Sequence, residues 1–398
     1  VEPLNLSHYG LVTCLGAGRA ATRAALLAGR SGLKPCQFET AAIPTYVGEV
    51  AGADATPLTG TFAGFDCRNN RLAVLALAQD GFREAVAAAV SRYGAHRIAL
   101  VLGTSTSGIH QTELDYRKRD SRTGALPESY DYHRTHNTFS LGRFLGAYLG
   151  IEGPALVIST ACSTTGKVFA SAARLIASGI CDAAVVGGAD SLSLTTLYGF
   201  RSLGLTAETP CRPFAVDRKG ISLGEAAGFA LLERADAGAP QGAVEILGVG
   251  ESSDAYHMSS PHPEGAGARL AIERALASAG LSPGTIDYVN LHGTGTPVGD
   301  AAEDHAIIDV FGPKTPCSST KGLTGHALGA AGIVEALICA LSIEDNFMPG
   351  GGPGRVPDPA FRANYLDEGQ SAKLDRVMSN AFGFGGSNCS VILGRRPC

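Results

Sequence analysis

The sequence predicts a layered α/β fold made of two like halves, and three observations carry that reading. Short apolar runs bounded by glycine recur along the chain, and each feeds an alanine-rich stretch with helical character. Runs of β-branched residues that alternate with helices indicate strands covered on both faces. Both halves also place their unusual residues immediately after such a run, as an internal duplication of structure would.

In chain order the runs are RIALVLGTS (97–105), PALVISTAC (154–162) and CDAAVVGGAD (181–190), then AVEILGVGES (243–252), IDYVNLHGT (286–294) and DRVMSNAFGFGGSNCSVIL (375–393). Between the third and the fourth, RADAGAPQGA (234–243) is the most linker-like stretch and divides the chain into 1–242 and 243–398. Near the start, LVTCLGAGRAA (11–21) imitates a dinucleotide fingerprint through Gly16, Gly18 and Ala21, with Glu39 further on. KPCQFETAAIP has poor strand character, so Glu39 ends no second strand and the glycines read as a tight strand-to-helix turn.

With 398 residues, 45% of them apolar and only 17% charged, the chain can bury a large core, which excludes disorder. A net charge of −5 with no Lys/Arg block offers no footprint for nucleic acid. No apolar run reaches the ~18 residues of a membrane span, and the N-terminus lacks the charged-then-apolar order of a signal peptide. The ten cysteines include no CxxC and no zinc-like spacing, so free thiols in a reducing cytoplasm are expected.

Chemistry collects in four segments. In STACSTTGKVFASAARLIASG (159–179) a buried strand, ALVIST, feeds a helix whose apolar residues fall at Val168, Ala172, Leu175 and Ile176. Ser159 or Thr160 can cap it, and Ser178-Gly179 ends it. Cys162 is then expected in the first turn, where free N–H groups and the helix dipole would lower the thiol pKa and favour a nucleophilic thiolate. In VNLHGTGTPVGDAAE (289–303), His292 ends a strand before a Gly/Thr loop, so a neutral imidazole can point into a crevice; Asp300 and Glu303 follow on a helix start as supporting acids.

The third segment, SSTKGLTGHALGAAGIVEAL (318–337), holds Lys321, His326 and Glu335. Glu335 is the one charge in a close-packing helix and needs a cation, for which Lys321 is the nearest candidate. The fourth, SNAFGFGGSNCSVIL (379–393), sets Phe382 and Phe384 among three glycines between strands. Such a loop can lend an N–H to an oxyanion and swing an aromatic ring as a gate; the alternative is an ordinary hairpin turn.

A thiol, two imidazoles, a lysine and a glycine loop suit thioester chemistry. The motifs TACSTTGK, CRPFAVDRKGISLGEAAGFALLE, SSDAYHMSSP, HGTGTPVGD, STKGLTGHALGAAG and SNAFGFGGSN span essentially the whole chain, and in them it resembles an elongating β-ketoacyl-acyl carrier protein synthase of the thiolase superfamily. The resemblance implies a thiolase-like fold, duplicated βαβαβαββ halves in an α-β-α-β-α arrangement. It implies that Cys162 takes the acyl chain, that the N–H groups of Cys162 and Phe384 form the oxyanion hole, and that His292 and His326 hold the malonyl thioester carbonyl. Lys321 would pair with Glu335 and order the site, Phe384 would gate it, and Asp300, Glu303 and Phe382 would support it. The reaction implied is decarboxylative condensation with malonyl-carrier protein to a 3-oxoacyl chain.

No dissociable cofactor is implied, since phosphopantetheine arrives on the carrier protein. A structural Na⁺ or K⁺ near Asn290, Glu335, Ser379 and Asn380 is a further implication. LGTSTSGIHQTELDY (102–116) departs from the family's glycine-rich stretch at Thr104, Ser105 and Thr106; that stretch lines the acyl pocket, so Thr106 bears on chain preference. The departure points to a second reading, a ketosynthase of a secondary pathway such as polyene pigment or polyketide assembly, working beside a non-catalytic partner. The expected assembly is a homodimer, or a heterodimer in that second reading. An acidic carrier protein needs a local basic mouth, for which Arg68, Arg71, Arg117, Lys118 and Arg201 are candidates.

Overall fold

The computed structural model describes residues 2–235, 241–352 and 354–396. The first half contributes strands β1 (Leu4–Thr13), β2 (Ile98–Gly103), β3 (Ala155–Ile158), β4 (Ala183–Asp190) and β5 (Ala226–Arg234). The second contributes β6 (Val244–Ser253), β7 (Tyr288–Asn290), β8 (Pro316–Ser318), β9 (Asn364–Tyr365), β10 (Arg376–Gly383) and β11 (Ser387–Arg395).

Their order across the sheet exposes the duplication that single letters hide. The first half runs β1-β5-β4-β2-β3 and the second β6-β11-β10-β7-β8, with β9 added outside β8. In each half the first two pairings are antiparallel and the next two parallel. A short antiparallel pairing, Leu4 with Ile246 and Asn5 with Glu245, joins β1 to β6.

Helices α1 (Arg68–Leu77), α2 (Phe82–Tyr93) and α3 (Ser140–Leu149) cover the outer face of the first half, while α5 (Ala266–Ala279) and α6 (Pro297–Phe311) cover that of the second. Between the halves lie α4 (Thr164–Ala177) and α7 (Ala331–Asp345), which pack on each other and on strands of both halves. The result is the α-β-α-β-α layering of a thiolase-like fold. Being central, α7 is buried from Ala331 through Ile343, so no amphipathic stripe marks it. The two middle helices approach so closely that a Cβ on Gly332 would lie 2.5 Å from the Gly166 nitrogen.

Two local expectations change, and a third holds. β3 is not buried on both faces: it is an edge strand paired only with β2, and Leu156 is 42% exposed. Ser163 occupies the N-cap position of α4 without a side-chain cap, and Ser178 with Gly179 at φ 73° ends that helix. The cap runs the other way from the expectation: the Thr160 N–H donates to the Thr164 hydroxyl at 2.8 Å, because the chain turns back sharply at Ala161 (φ 52°). In the apparent dinucleotide fingerprint, the Arg19 N–H at the helix start donates to the Asp80 carboxylate at 2.9 Å, and Glu39 pairs with His110 and Arg117. An anion of the protein's own already sits where a phosphate would bind, so the motif is a turn. Residues 236–240 of the linker-like stretch lie outside the described residues. No described helix is long and apolar enough to cross a membrane.

Candidate active site

Cys162 sits at the C-terminal end of β3, between the strand and α4, one residue before the N-cap rather than in the first helical turn. Ala161 takes a positive φ that non-glycine residues adopt at a cost, and the sharp turn presents the sulfur toward the junction of the two halves. At the corresponding place in the second half, His292 follows β7 and His326 follows the short helix Lys321–Thr324. The reactive atoms of Cys162, His292 and His326 all lie within 4.8 Å of one another and all three residues are buried. His326 Nε2 is 3.0 Å from Cys162 Sγ. The two imidazoles meet edge to face, their centroids 5.4 Å apart.

Lys321, fully buried, is held by two acceptors: Nζ donates to the His292 carbonyl oxygen at 2.5 Å and to the Glu335 carboxylate. It therefore anchors the backbone of one histidine while its charge acts on both. Burial, then the Lys321 charge, pushes both histidines well below the ordinary imidazole value, and for His292 repulsion from a protonated His326 would add to this. Both are neutral near pH 7, the form that donates a hydrogen bond to a developing oxyanion without first losing a proton.

The thiol departs from the expectation. Burial raises its pKa to about 11, against the Lys321 charge and backbone hydrogen bonds from Phe384 and Cys162 itself, which favour the thiolate. The resting pair is thus neutral thiol and neutral imidazole, since desolvation outweighs one turn of helix dipole. His326 Nε2, at 3.0 Å, is placed to accept the thiol proton.

Glu303 and Asp300 build the loop beneath His292. Glu303 accepts from the N–H groups of His292 (2.8 Å) and Gly293 (2.7 Å), Asp300 from those of Phe214 (2.7 Å) and Gly295 (3.0 Å). Burial raises Glu303 to about 7 and Asp300 to about 6. Phe382 lies beside the His292 ring at 5.9 Å, and Phe384 rests on Phe200 at 5.6 Å. Phe384 opens a tight turn between β10 and β11, with Gly385 at φ 76° and Gly386 at φ 73°. That turn is tied at both ends: Gly385 N–H donates to the Met258 carbonyl, and Asp254 N–H to the Gly386 carbonyl. A cavity of about 220 Å³ reaches the sulfur and is lined by His292, His326, Thr294, Thr296, Phe382 and Phe384 among others.

Of the other candidate positions, Asn290 is fully buried with both side-chain polar atoms unpartnered, and Glu335 Oε2 is likewise unpartnered. Asn380 is engaged by the Ser390 hydroxyl, and Ser379 bears on Cys339. Thr106 does not line the cavity: it is buried and its hydroxyl donates to Asp190. Arg68 is a correction. It is buried against Glu225, Glu49 and Asp54, so it faces the core and not a docking partner. Arg71 is held by Asp66, while Arg117, Lys118 and Arg201 stand at the surface, each with one carboxylate neighbour. Sequence reading missed Asp190 and Thr165, which both hydrogen-bond to Gly329; the signal for the first was a lone acid ending the apolar run AAVVGGAD.

A thiol nucleophile and two neutral imidazoles at the junction of duplicated halves define a condensing acyltransferase of thiolase-like fold. The chain belongs to the β-ketoacyl synthase family: residues 9–237 match the model of its N-terminal domain and residues 243–351 that of its C-terminal domain. It is 33% identical to a 3-oxoacyl-[acyl-carrier-protein] synthase 2 of Coxiella burnetii, covering 98% of each chain. Among solved structures it is similar to the ketosynthase ApeO of Xenorhabdus doucetiae, solved in complex with its chain length factor ApeC, at 39% identity and a TM-score of 0.89 over 99% of this chain and 98% of that one. The ishigamide ketosynthase/chain length factor matches at 28% identity and a TM-score of 0.90, over 99% of each chain.

Proposed function

We propose that this protein elongates acyl chains by decarboxylative condensation on acyl carrier protein, as in fatty acid synthesis. The observation that carries the reading is the 3.0 Å approach of His326 Nε2 to Cys162 Sγ beside a second neutral imidazole. The sulfur attacks the carbonyl carbon of an acyl thioester as His326 takes its proton, and the carrier's phosphopantetheine leaves as the thiol, receiving that proton from His326, which is neutral again. A malonyl thioester then enters with its carbonyl oxygen facing His292 and His326. Its carboxylate leaves as CO₂, and the electron pair passes into an enolate whose oxygen the imidazoles stabilise. The enolate carbon attacks the acyl-Cys162 carbonyl, the oxyanion is met by the N–H groups of Cys162 and Phe384, and the thiolate is expelled. The product is a 3-oxoacyl thioester two carbons longer.

A second reading, a ketosynthase of a secondary pathway working with a non-catalytic partner, is favoured by the 39% identity to a ketosynthase that was solved with its chain length factor. The unpaired edge of β3, with Leu156 exposed, supports pairing with a second subunit, either a copy of this chain or such a partner. A monovalent cation fits the unpartnered Asn290 Oδ1 and Glu335 Oε2, with Ser379 paired beside Asn290 across β7 and β10 and Asn380 next to it in β10. Arg71, Arg117, Lys118 and Arg201 remain the basic residues offered to an acidic carrier. The nine described cysteines are all free, which supports a cytoplasmic setting.

The test is condensation by purified protein on malonyl-carrier protein with acyl-carrier proteins from C2 to C16, saturated and unsaturated. Cys162→Ala is expected to abolish the acyl-enzyme in intact-protein mass spectrometry and all product. Product formed at the wild-type rate by that variant would refute the reading. Acceptance of polyunsaturated chains in preference to saturated ones would favour the secondary pathway.

A further inference from the structure

We propose that Asp190 and Thr165 clamp the Gly329 peptide and so set the distance between His326 and Cys162, making both positioning residues for the condensation. The inference rests on the function given above. Asp190 ends β4, fully buried. Its Oδ1 accepts from the Thr104 hydroxyl (2.7 Å), the Ser105 N–H (2.8 Å), and the Thr106 N–H and hydroxyl (each 2.9 Å). Its Oδ2 accepts from the Ser105 hydroxyl (2.5 Å) and the Gly329 N–H (2.6 Å). Six donors converge on one carboxylate, a pattern that only an acceptor-only group satisfies.

Gly329 lies three residues after His326, and Leu328 between them holds φ 52°. The other side of the Gly329 peptide is also held: the Thr165 hydroxyl donates to the Gly329 carbonyl at 2.6 Å and accepts from the Ile333 N–H at 2.8 Å. Thr165 stands three residues after Cys162 on α4, whereas Gly329 and Ile333 belong to the second half. The clamp therefore joins the turn bearing the histidine to the helix bearing the nucleophile, across the junction of the halves. A Cβ at 329 would lie 2.7 Å from Asp190 Oδ2 and 3.1 Å from the Ser105 nitrogen, so any side chain there would displace the carboxylate. The hydroxyl-rich 104–106 stretch, which departs from the family's glycine-rich pattern, thus serves to load this carboxylate.

The Asp190 charge also bears on the sulfur, opposing the thiolate, while Lys321 favours it and the neutral His292 and His326 add no charge. Asp190→Asn turns one acceptor into a donor facing donors and removes that charge. Two effects are expected: condensation falls about 100-fold, the scale of a misplacement of about 1 Å, and the pH profile of Cys162 alkylation by iodoacetamide moves to lower pH. Thr165→Val, which keeps Asp190 and the helix, is expected to lower kcat with KM for malonyl-carrier protein unchanged and the alkylation profile in place. Wild-type condensation by Thr165→Val, or an unmoved alkylation profile in folded Asp190→Asn, would overturn the clamp. If Asp190→Asn does not fold, Thr165→Val alone decides. Alkylation needs no carrier protein, so a wild-type protein that fails to condense would refute the function while the alkylation profiles still judge the clamp.

Discussion

His326 Nε2 stands 3.0 Å from Cys162 Sγ although 164 residues separate them in the chain, and neither is charged at rest. The contact spans the two halves of the molecule, so the thiol and the imidazole come together only when both halves are packed.

The buried thiol should not behave as a preformed thiolate. Iodoacetamide alkylation of Cys162 in the free enzyme is expected to accelerate about tenfold per pH unit from pH 7 to 10, because the thiol ionises near 11. A plateau at or below pH 8, followed by peptide mass spectrometry, would contradict the neutral resting pair.

Replacing His326 separates the two stages of the reaction. In His326→Ala the expected outcome is loss of malonyl decarboxylation, measured as released CO₂, by about 100-fold or more. Acyl-Cys162 should still form, more slowly, since the thiol remains accessible. Loss of self-acylation with decarboxylation intact would assign the histidine a different role.

The close crossing of the central helices makes Gly332→Ala a sensitive change. Its methyl would collide with the backbone of Gly166 at 2.5 Å, which no side-chain rotation relieves. A loss of about 1–3 kcal/mol in urea unfolding is expected, with a fall in condensation rate as α4 and α7 are pushed apart. Stability equal to wild type would show that the helices can separate freely.

Glu303 gives a pH signature. Burial lifts its carboxyl from 4.5 to about 7, so between those values the folded state holds a proton that the unfolded chain has released. The stability this contributes is present below pH 4.5 and is lost as pH rises through about 7. Glu303→Gln removes the titration, so the wild-type advantage over the variant should shrink by on the order of 3 kcal/mol between pH 4.5 and 8. Urea melts across that range measure it, and a constant difference would exclude the assignment.

How much of this was legible beforehand depends on the scale of the interaction. Strand-forming runs such as AAVVGGAD and the alternation with helices made the layered fold readable, because local periodicity reports which faces are buried. β5 was harder, since AAGFALLER is written in helix-forming letters yet forms a strand, while α7 was legible as a close-packing helix but not as the central one, buried on every side. Their environments are set by neighbours remote in sequence, which propensity does not register.

The sequence by itself determined the layered fold with two like halves and the short motifs that carry Cys162, His292, Lys321 and His326, since those depend on residue type and local spacing. Only the tertiary structure decided the electrostatics. It buried Arg68 against Glu225, raised the Cys162 thiol instead of lowering it, and gave Asp190 its six donors. Desolvation and the convergence of distant polar groups scale with burial in three dimensions, and neither can be read from the order of residues along the chain.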